Sequence, residues 1–82
     1  MSNEFKTKEL GLAIALLTTG HILERIEKSE DFDDTRSFFV FQESPNIDDI
    51  VDRYWKKDLL VDARSFWLSQ KEIKNRLYDY KK

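Results

Sequence analysis

The sequence predicts a small α+β domain in the order α-β-β-α-α, an antiparallel β-hairpin packed on three helices. Three observations carry that prediction. An apolar stretch from Leu10 to Leu17 ends at Gly20, the run Ser37-Phe38-Phe39-Val40-Phe41-Gln42 is rich in aromatic and β-branched residues, and Ile47, Ile50, Val51 and Tyr54 recur at helical spacing. With 82 residues, 40% of them hydrophobic and 13% aromatic, the chain has apolar material for one core, at a size where folding buries only about 60% of the unfolded chain's surface. One domain over residues 1–82 is therefore expected.

The first helix is expected over about residues 8–19. Thr7 is a candidate N-cap, Leu10, Ala13, Ile14 and Leu17 fall on one face, and Leu12, Ala15 and Leu16 fill much of the remaining circumference, so the helix should be buried on most sides. Gly20 is a natural left-handed terminator. Strands follow at about 21–28, where Ile22, Leu23 and Ile26 mix with charges, and at about 37–43. Continuing the first helix through Gly20 instead would cost about 1 kcal/mol. The polar, acidic stretch 29–35 makes the two strands a hairpin with a longish loop. Alternation puts Phe39 and Phe41 on one face of the second strand and Phe38 and Val40 on the other.

Ser44 or Asn46 can cap a second helix over about 46–56, with Pro45 tolerated at its start. Asp48, Asp49 and Asp52 near its start and Lys56 and Lys57 near its end match the helix dipole without any ligand. Leu59-Leu60-Val61 reads as a connector that can add residues to the sheet edge. Asp62 is a good N-cap for a third helix to about residue 79, with Phe66, Ile73, Leu77 and Tyr80 on its core face and Gln70 a polar gap.

Several functions find no support in the residues. There is no cysteine and one histidine, so thiolate and paired-histidine metal sites are missing, and no metal or other cofactor is expected. The usual nucleophile, base and orienting group are missing too. His21 reads as structural or solvated, the adjacent carboxylates Asp33-Asp34 and Asp48-Asp49 as exposed, and the chain as no enzyme, with no small-molecule substrate evident. Asp31, Asp33 and Thr35 copy three ligand positions of an EF-hand loop, but Arg36 stands where glycine is needed and Gln42 where a bidentate glutamate belongs. The Phe-rich strand lacks the glycines and spacing of an RNA-binding RRM motif. The run from Leu10 to Leu17 is far shorter than the roughly 20 residues of a membrane span and has no cleavage motif behind it, so a cytoplasmic protein away from membranes is expected.

What stands out is charge and aromatic placement. Residues 1–52 carry five Lys/Arg against twelve Asp/Glu, and residues 53–82 carry nine against four, a lopsidedness hidden in the net charge of −2. At 100° per residue from Phe66, the positions Trp67, Lys71, Lys74 and Tyr78 lie about 80–140° around the third helix, beside Arg64 and Lys82 at about 160°. Cations and aromatics interleave on a flank away from the core. Against this stands the ordinary alternative that Trp67 and Tyr78 pack under a neighbouring helix with Lys71 across the indole.

The residues Phe5-Lys6-Thr7-Lys8-Glu9-Leu10-Gly11-Leu12-Ala13, Gly20-His21, Phe38-Phe39-Val40-Phe41, Tyr54-Trp55, Val61-Asp62-Ala63-Arg64 and Lys74-Asn75-Arg76-Leu77-Tyr78 together resemble an uncharacterised family. Its members are small proteins of bacteriophages, prophages and mobile elements of Gram-positive bacteria. The resemblance covers most of the chain and implies an origin of that kind; it brings no active site. Excisionase-like DNA binders also begin with a Thr-capped helix and carry a hairpin wing, but here no recognition helix fits between Gly20 and Phe38 and the wing tip is acidic.

The leading expectation is a binding module that acts by protein–protein contact, with a partner or as a homodimer, through Arg64, Trp67, Lys71, Lys74, Tyr78 and Lys82. A second is nucleic-acid binding by the same stripe. A third makes Glu30 to Asp34 with Asp48, Asp49 and Asp52 an acidic nucleic-acid mimic that inhibits a host protein.

Overall fold

Six elements follow one another in the computed structural model, which describes residues 3–28 and 36–81: β1 (Glu4–Thr7), α1 (Leu10–Thr18), β2 (Leu23–Lys28), β3 (Ser37–Gln42), α2 (Ile47–Lys56) and α3 (Ala63–Lys81). The order is thus β-α-β-β-α-α, and the expected α-β-β-α-α lacks its first strand. The fold is a three-stranded antiparallel sheet in the order β1-β3-β2 with three helices, α2 and α3 both packed on α1, more than a hairpin on helices. β1 pairs with β3 through Phe5 opposite Phe41 and Thr7 opposite Phe39. Placing β3 in the centre gives the Phe-rich strand partners on both sides, which satisfies its backbone groups away from water.

The extra strand changes the start of α1. Thr7 ends β1 and does not cap the helix; its Oγ1 accepts the Glu9 N–H at 3.1 Å, turning the chain out of the sheet, and Glu9 stands at the N-cap position with its side chain elsewhere. Five consecutive residues of α1, Leu12 to Leu16, are buried, more than one full turn. The helix is therefore enclosed all round, with α2 and α3 both packed against it. At its end Gly20 has φ 96°, the Gly20 N–H donates to the Leu17 carbonyl and the His21 N–H to the Leu16 carbonyl, which is the Schellman pattern a glycine permits. Thr18 and Thr19 hydroxyls donate to Ile14, Ala15 and Leu16 carbonyls, which adds side-chain partners at the half-buried helix end.

β2 begins at Leu23, two residues later than expected. A bulge lies between Leu23, opposite Phe41, and Arg25, opposite Val40. Leu23 and Ile26 are three apart, which in a regular strand would send them to opposite faces; the extra residue, Glu24, returns both to the core beside Phe39 and Phe41. The other sheet face carries Val40, fully buried outside the main core cluster. Its cross-strand neighbours are Lys6 and Arg25, whose aliphatic stems can cover it while their charged ends meet Glu4 and Glu27. Arg25 grips both carboxylate oxygens of Glu4 at 2.6 and 2.9 Å and reaches Glu27 at 2.6 Å, and Lys6 reaches Glu27 at 3.0 Å. Phe38 on the same face is half-buried under the Lys8 ammonium, 4.7 Å from the ring centroid.

Asn46 occupies the N-cap position of α2 without a capping side-chain bond, its Oδ1 instead accepting from the Ser44 hydroxyl at 2.8 Å. Ile47 is fully buried and Ile50, Val51 and Tyr54 lean on the core, the stripe read from spacing. Leu59-Leu60-Val61 forms a connector with no part in the sheet. Asp62 caps α3: its Oδ2 accepts the Ser65 N–H and the Ser65 hydroxyl, both at 2.9 Å. Those bonds hold the Asp62 carboxyl below its ordinary value. Ile73 is the fully buried residue of α3, flanked by Phe66 and Leu77, and Arg76 donates to the Leu23 carbonyl at 3.2 Å, tying α3 to the bulge. Tyr80, expected on the core face, is exposed at the rim.

Candidate functional site

His21 is buried, with Nδ1 3.1 Å from the Thr19 hydroxyl and 3.3 Å from the Leu16 carbonyl, and Nε2 3.3 Å from Asn46 Oδ1. These contacts pin the end of α1 to the start of α2. Its partners are a helix carbonyl, a threonine and an asparagine, which suit a structural role and supply no carboxylate to orient it as a base.

A shallow groove of about 610 Å³ lies along Glu4, Glu24, Gln42 and Glu43. Glu4 is already engaged by Arg25, whose hydrogen bonds hold that carboxyl below its ordinary value. Among the described residues no group of three or more His, Cys, Asp or Glu could hold a metal ion. The acidic segment 29–35, with the EF-hand-like Asp31, Asp33 and Thr35, lies outside the described residues. On α2, Asp49 pairs with Arg53 and Asp52 with Lys56, each one turn apart, so those carboxylates are neutralised within their own helix.

α3 is different. Its nineteen residues span about 28 Å, close to the molecule's longest dimension of 34 Å, and one side is turned to α1 and the sheet. On the flank away from that side Trp67 is 52% exposed and Tyr78 69% exposed, so neither aromatic is packed under α1 or α2. Arg64, Lys71 and Lys74 are exposed with them. The Lys71 ammonium sits 4.5 Å from the Trp67 ring centroid, a cation–π contact made in the open. Lys82 lies outside the described residues.

One apolar side chain on this flank, and one in the connector before it, were left out by the sequence reading. Leu68 is 48% exposed, next to Trp67 in sequence and beside Arg64 and Asn75 around the helix. Leu60 in the connector is 93% exposed, four residues before Arg64. For Leu68 the available signal was its place at about 200° around the helix, beside Arg64 at about 160°. Trp55, edge-on to Tyr54 with ring centroids 5.1 Å apart, is exposed at the end of α2.

The family comparison agrees with the extent of this fold. A family model described as a domain of unknown function, DUF5659, matches residues 2–79. The chain belongs to the DUF5659 family. No curated protein and no solved structure matches the chain. The match runs from the residue before β1's approach nearly to the end of α3, so the DUF5659 unit takes in the sheet, the enclosed α1 and the exposed flank of α3 alike. Among the described residues no helix is long and apolar enough to cross a membrane.

Proposed function

We propose that this DUF5659 protein is a non-enzymatic binding module that grips a protein partner with the outer flank of α3. The observation that carries the reading is the exposure of Trp67, Leu68 and Tyr78 beside Arg64, Lys71 and Lys74 on one rigid helix. Aromatic residues and arginine are the side chains that dominate protein interfaces, and a helix holds them without loss of loop entropy on binding. The resemblance to small phage and mobile-element proteins of Gram-positive bacteria supports it, since a protein of that origin acting in the host cytoplasm would work by occupying a host protein.

Nucleic acid is the weaker reading of the same stripe. Arg64, Lys71, Lys74 and Lys82 could neutralise four phosphates, which gives a salt slope of only about −3 to −4 and modest affinity at physiological salt. A molecule of net charge −2 adds no long-range attraction. The acidic-mimic reading draws on Glu30 to Asp34, which lie outside the described residues, and on Asp48, Asp49 and Asp52, of which Asp49 and Asp52 are already paired with Arg53 and Lys56.

The test uses the full chain with Trp67→Ala and, separately, Lys71→Glu with Lys74→Glu. Both changes lie on the surface and should leave the far-ultraviolet spectrum and melting temperature unchanged. Each is expected to release the protein partner that the wild type captures from its host. Capture of the same partner at wild-type level by both variants would remove the proposal, and tight binding of DNA or RNA at 150 mM salt would replace it with the nucleic-acid reading.

A further inference from the structure

We infer that the partner surface recognised by α3 is an acidic amphipathic α-helix. This rests on the protein-contact reading above and adds the chemistry and shape of what is bound. The starting point is spacing. Arg64, Trp67, Lys71, Lys74 and Tyr78 are separated by three, four, three and four residues, an average of 3.5. Side chains at that interval form a row almost parallel to the helix axis, here about 21 Å long. A row of this kind is the seam along which a second helix packs at a shallow crossing angle, about 20°.

The backbone argues the same way. An extended peptide gains affinity chiefly by main-chain hydrogen bonds to a sheet edge. α3 uses its main-chain groups within itself and offers only side chains along this flank, so an extended peptide laid on it would leave its own N–H and C=O groups unpaired. A helix arrives with those groups already satisfied.

Charge decides the composition. On α2 the cations Arg53 and Lys56 each have a carboxylate one turn away, and on the sheet Lys6 and Arg25 share Glu4 and Glu27. Arg64, Lys71 and Lys74 have no carboxylate partner within the described residues, although they are exposed on a stripe that also carries the apolar Trp67, Leu68 and Tyr78. Burying that stripe requires opposing carboxylates, because a desolvated cation without a partner costs more than the apolar contact returns. A second copy meeting stripe to stripe fails on this count: the pair would set six cations against one another, because the acids of α3, Glu72 and Asp79, lie at about 220–240° around the helix, beyond Leu68 and off the row. The fitting partner is a helix with Asp or Glu at positions three or four and seven apart and apolar side chains between, which meet Trp67, Leu68 and Tyr78.

The experiment places a photo-crosslinker, p-benzoylphenylalanine, at Leu68 in the full-length protein within the cells that carry it, and maps the crosslinked segment by mass spectrometry. The expected segment belongs to a protein and has at least three carboxylates at helical spacing around apolar residues. Lys71→Glu with Lys74→Glu should lower the crosslink at least tenfold, Lys71→Arg with Lys74→Arg should preserve it, and changing the partner's carboxylates to lysine should restore it for the charge-reversed variant. A crosslink to a protein segment without carboxylates, or one undiminished by charge reversal, overturns this inference and leaves the protein-contact reading standing. A crosslink to nucleic acid, or to no macromolecule, overturns both.

Discussion

At Gly11 two opposing preferences meet on a single residue. A glycine inside α1 lowers helix propensity by about 1 kcal/mol relative to alanine. A methyl group there, however, would run into the Tyr54 hydroxyl from α2. That hydroxyl donates to Glu9 at 3.2 Å, and the tyrosine's burial, then the nearby Glu9 charge and hydrogen bond, push its pKa above the ordinary 10.0. Overpacking costs about 1–3 kcal/mol and outweighs the propensity gain. Gly11→Ala is therefore expected to destabilise the protein by roughly 1 kcal/mol net, and Gly11→Ala in a Tyr54→Leu background to cost less. Urea unfolding of the single and double variants measures this; equal losses in both backgrounds would exclude the contact as the cause. Nothing in the spacing of α1 announces this role, because it depends on a side chain more than forty residues away. The exposure of Trp67 and Tyr78 is of the same kind: their place on a flank was readable at 100° per residue, and whether a neighbouring helix covered it was not.

Among the elements, α2 ends under strain. Lys57 takes the left-handed conformation, φ 65° and ψ 27°, where the chain turns toward the connector. A side chain there costs about 1 kcal/mol that glycine avoids. Lys57→Gly should raise stability by about 0.5–1 kcal/mol, offset slightly by the lost cation at the helix end, and the midpoint of urea denaturation should shift upward. No shift or a fall would mean that the lysine side chain contributes more than the strain removes. The elements also show where pattern reading succeeds. The enclosed α1, the Phe-rich β3, the stripe of α2 and the Asp62 cap rest on many residues or on one specific cap. β1 escaped because it has four residues with one large apolar side chain, Phe5, too short for alternation to show. β2 was ambiguous because its bulge gives Leu23 and Ile26 the spacing of a helix while they belong to a strand.

Across the molecule, the charged lattice on the open sheet face and the Asp62 cap should both contribute to acid stability. Hydrogen bonds from Arg25 hold Glu4, and those from Lys6 and then Arg25 hold Glu27, below the ordinary carboxylate value of 4.5. A carboxyl with a lower pKa in the folded state contributes stability that is full above 4.5 and fades as pH falls through the folded value. Tyr54, raised above 10.0, contributes below that pH and loses its contribution as pH climbs through the higher folded value. The melting temperature should therefore be level between about pH 5 and 9 and fall on both sides. Arg25→Gln should make the acid limb shallower, because Glu4 then titrates nearer its ordinary value. An acid limb unchanged in Arg25→Gln would show that the lattice does not set it.

By itself the sequence determined the α+β class, the three helices, the two longer strands and the placement of cations and aromatics on one flank of the last helix. Those follow from local periodicity, capping and the side chains' own positions around a helix axis. Tertiary structure alone decided that β1 joins the sheet, that Val40 is buried between its cross-strand neighbours Lys6 and Arg25, that Arg64, Lys71 and Lys74 meet no carboxylate among the described residues, and that Trp67 faces outward. Each of these depends on which distant segment occupies the space beside a residue, and short-range patterns carry no term for that neighbour.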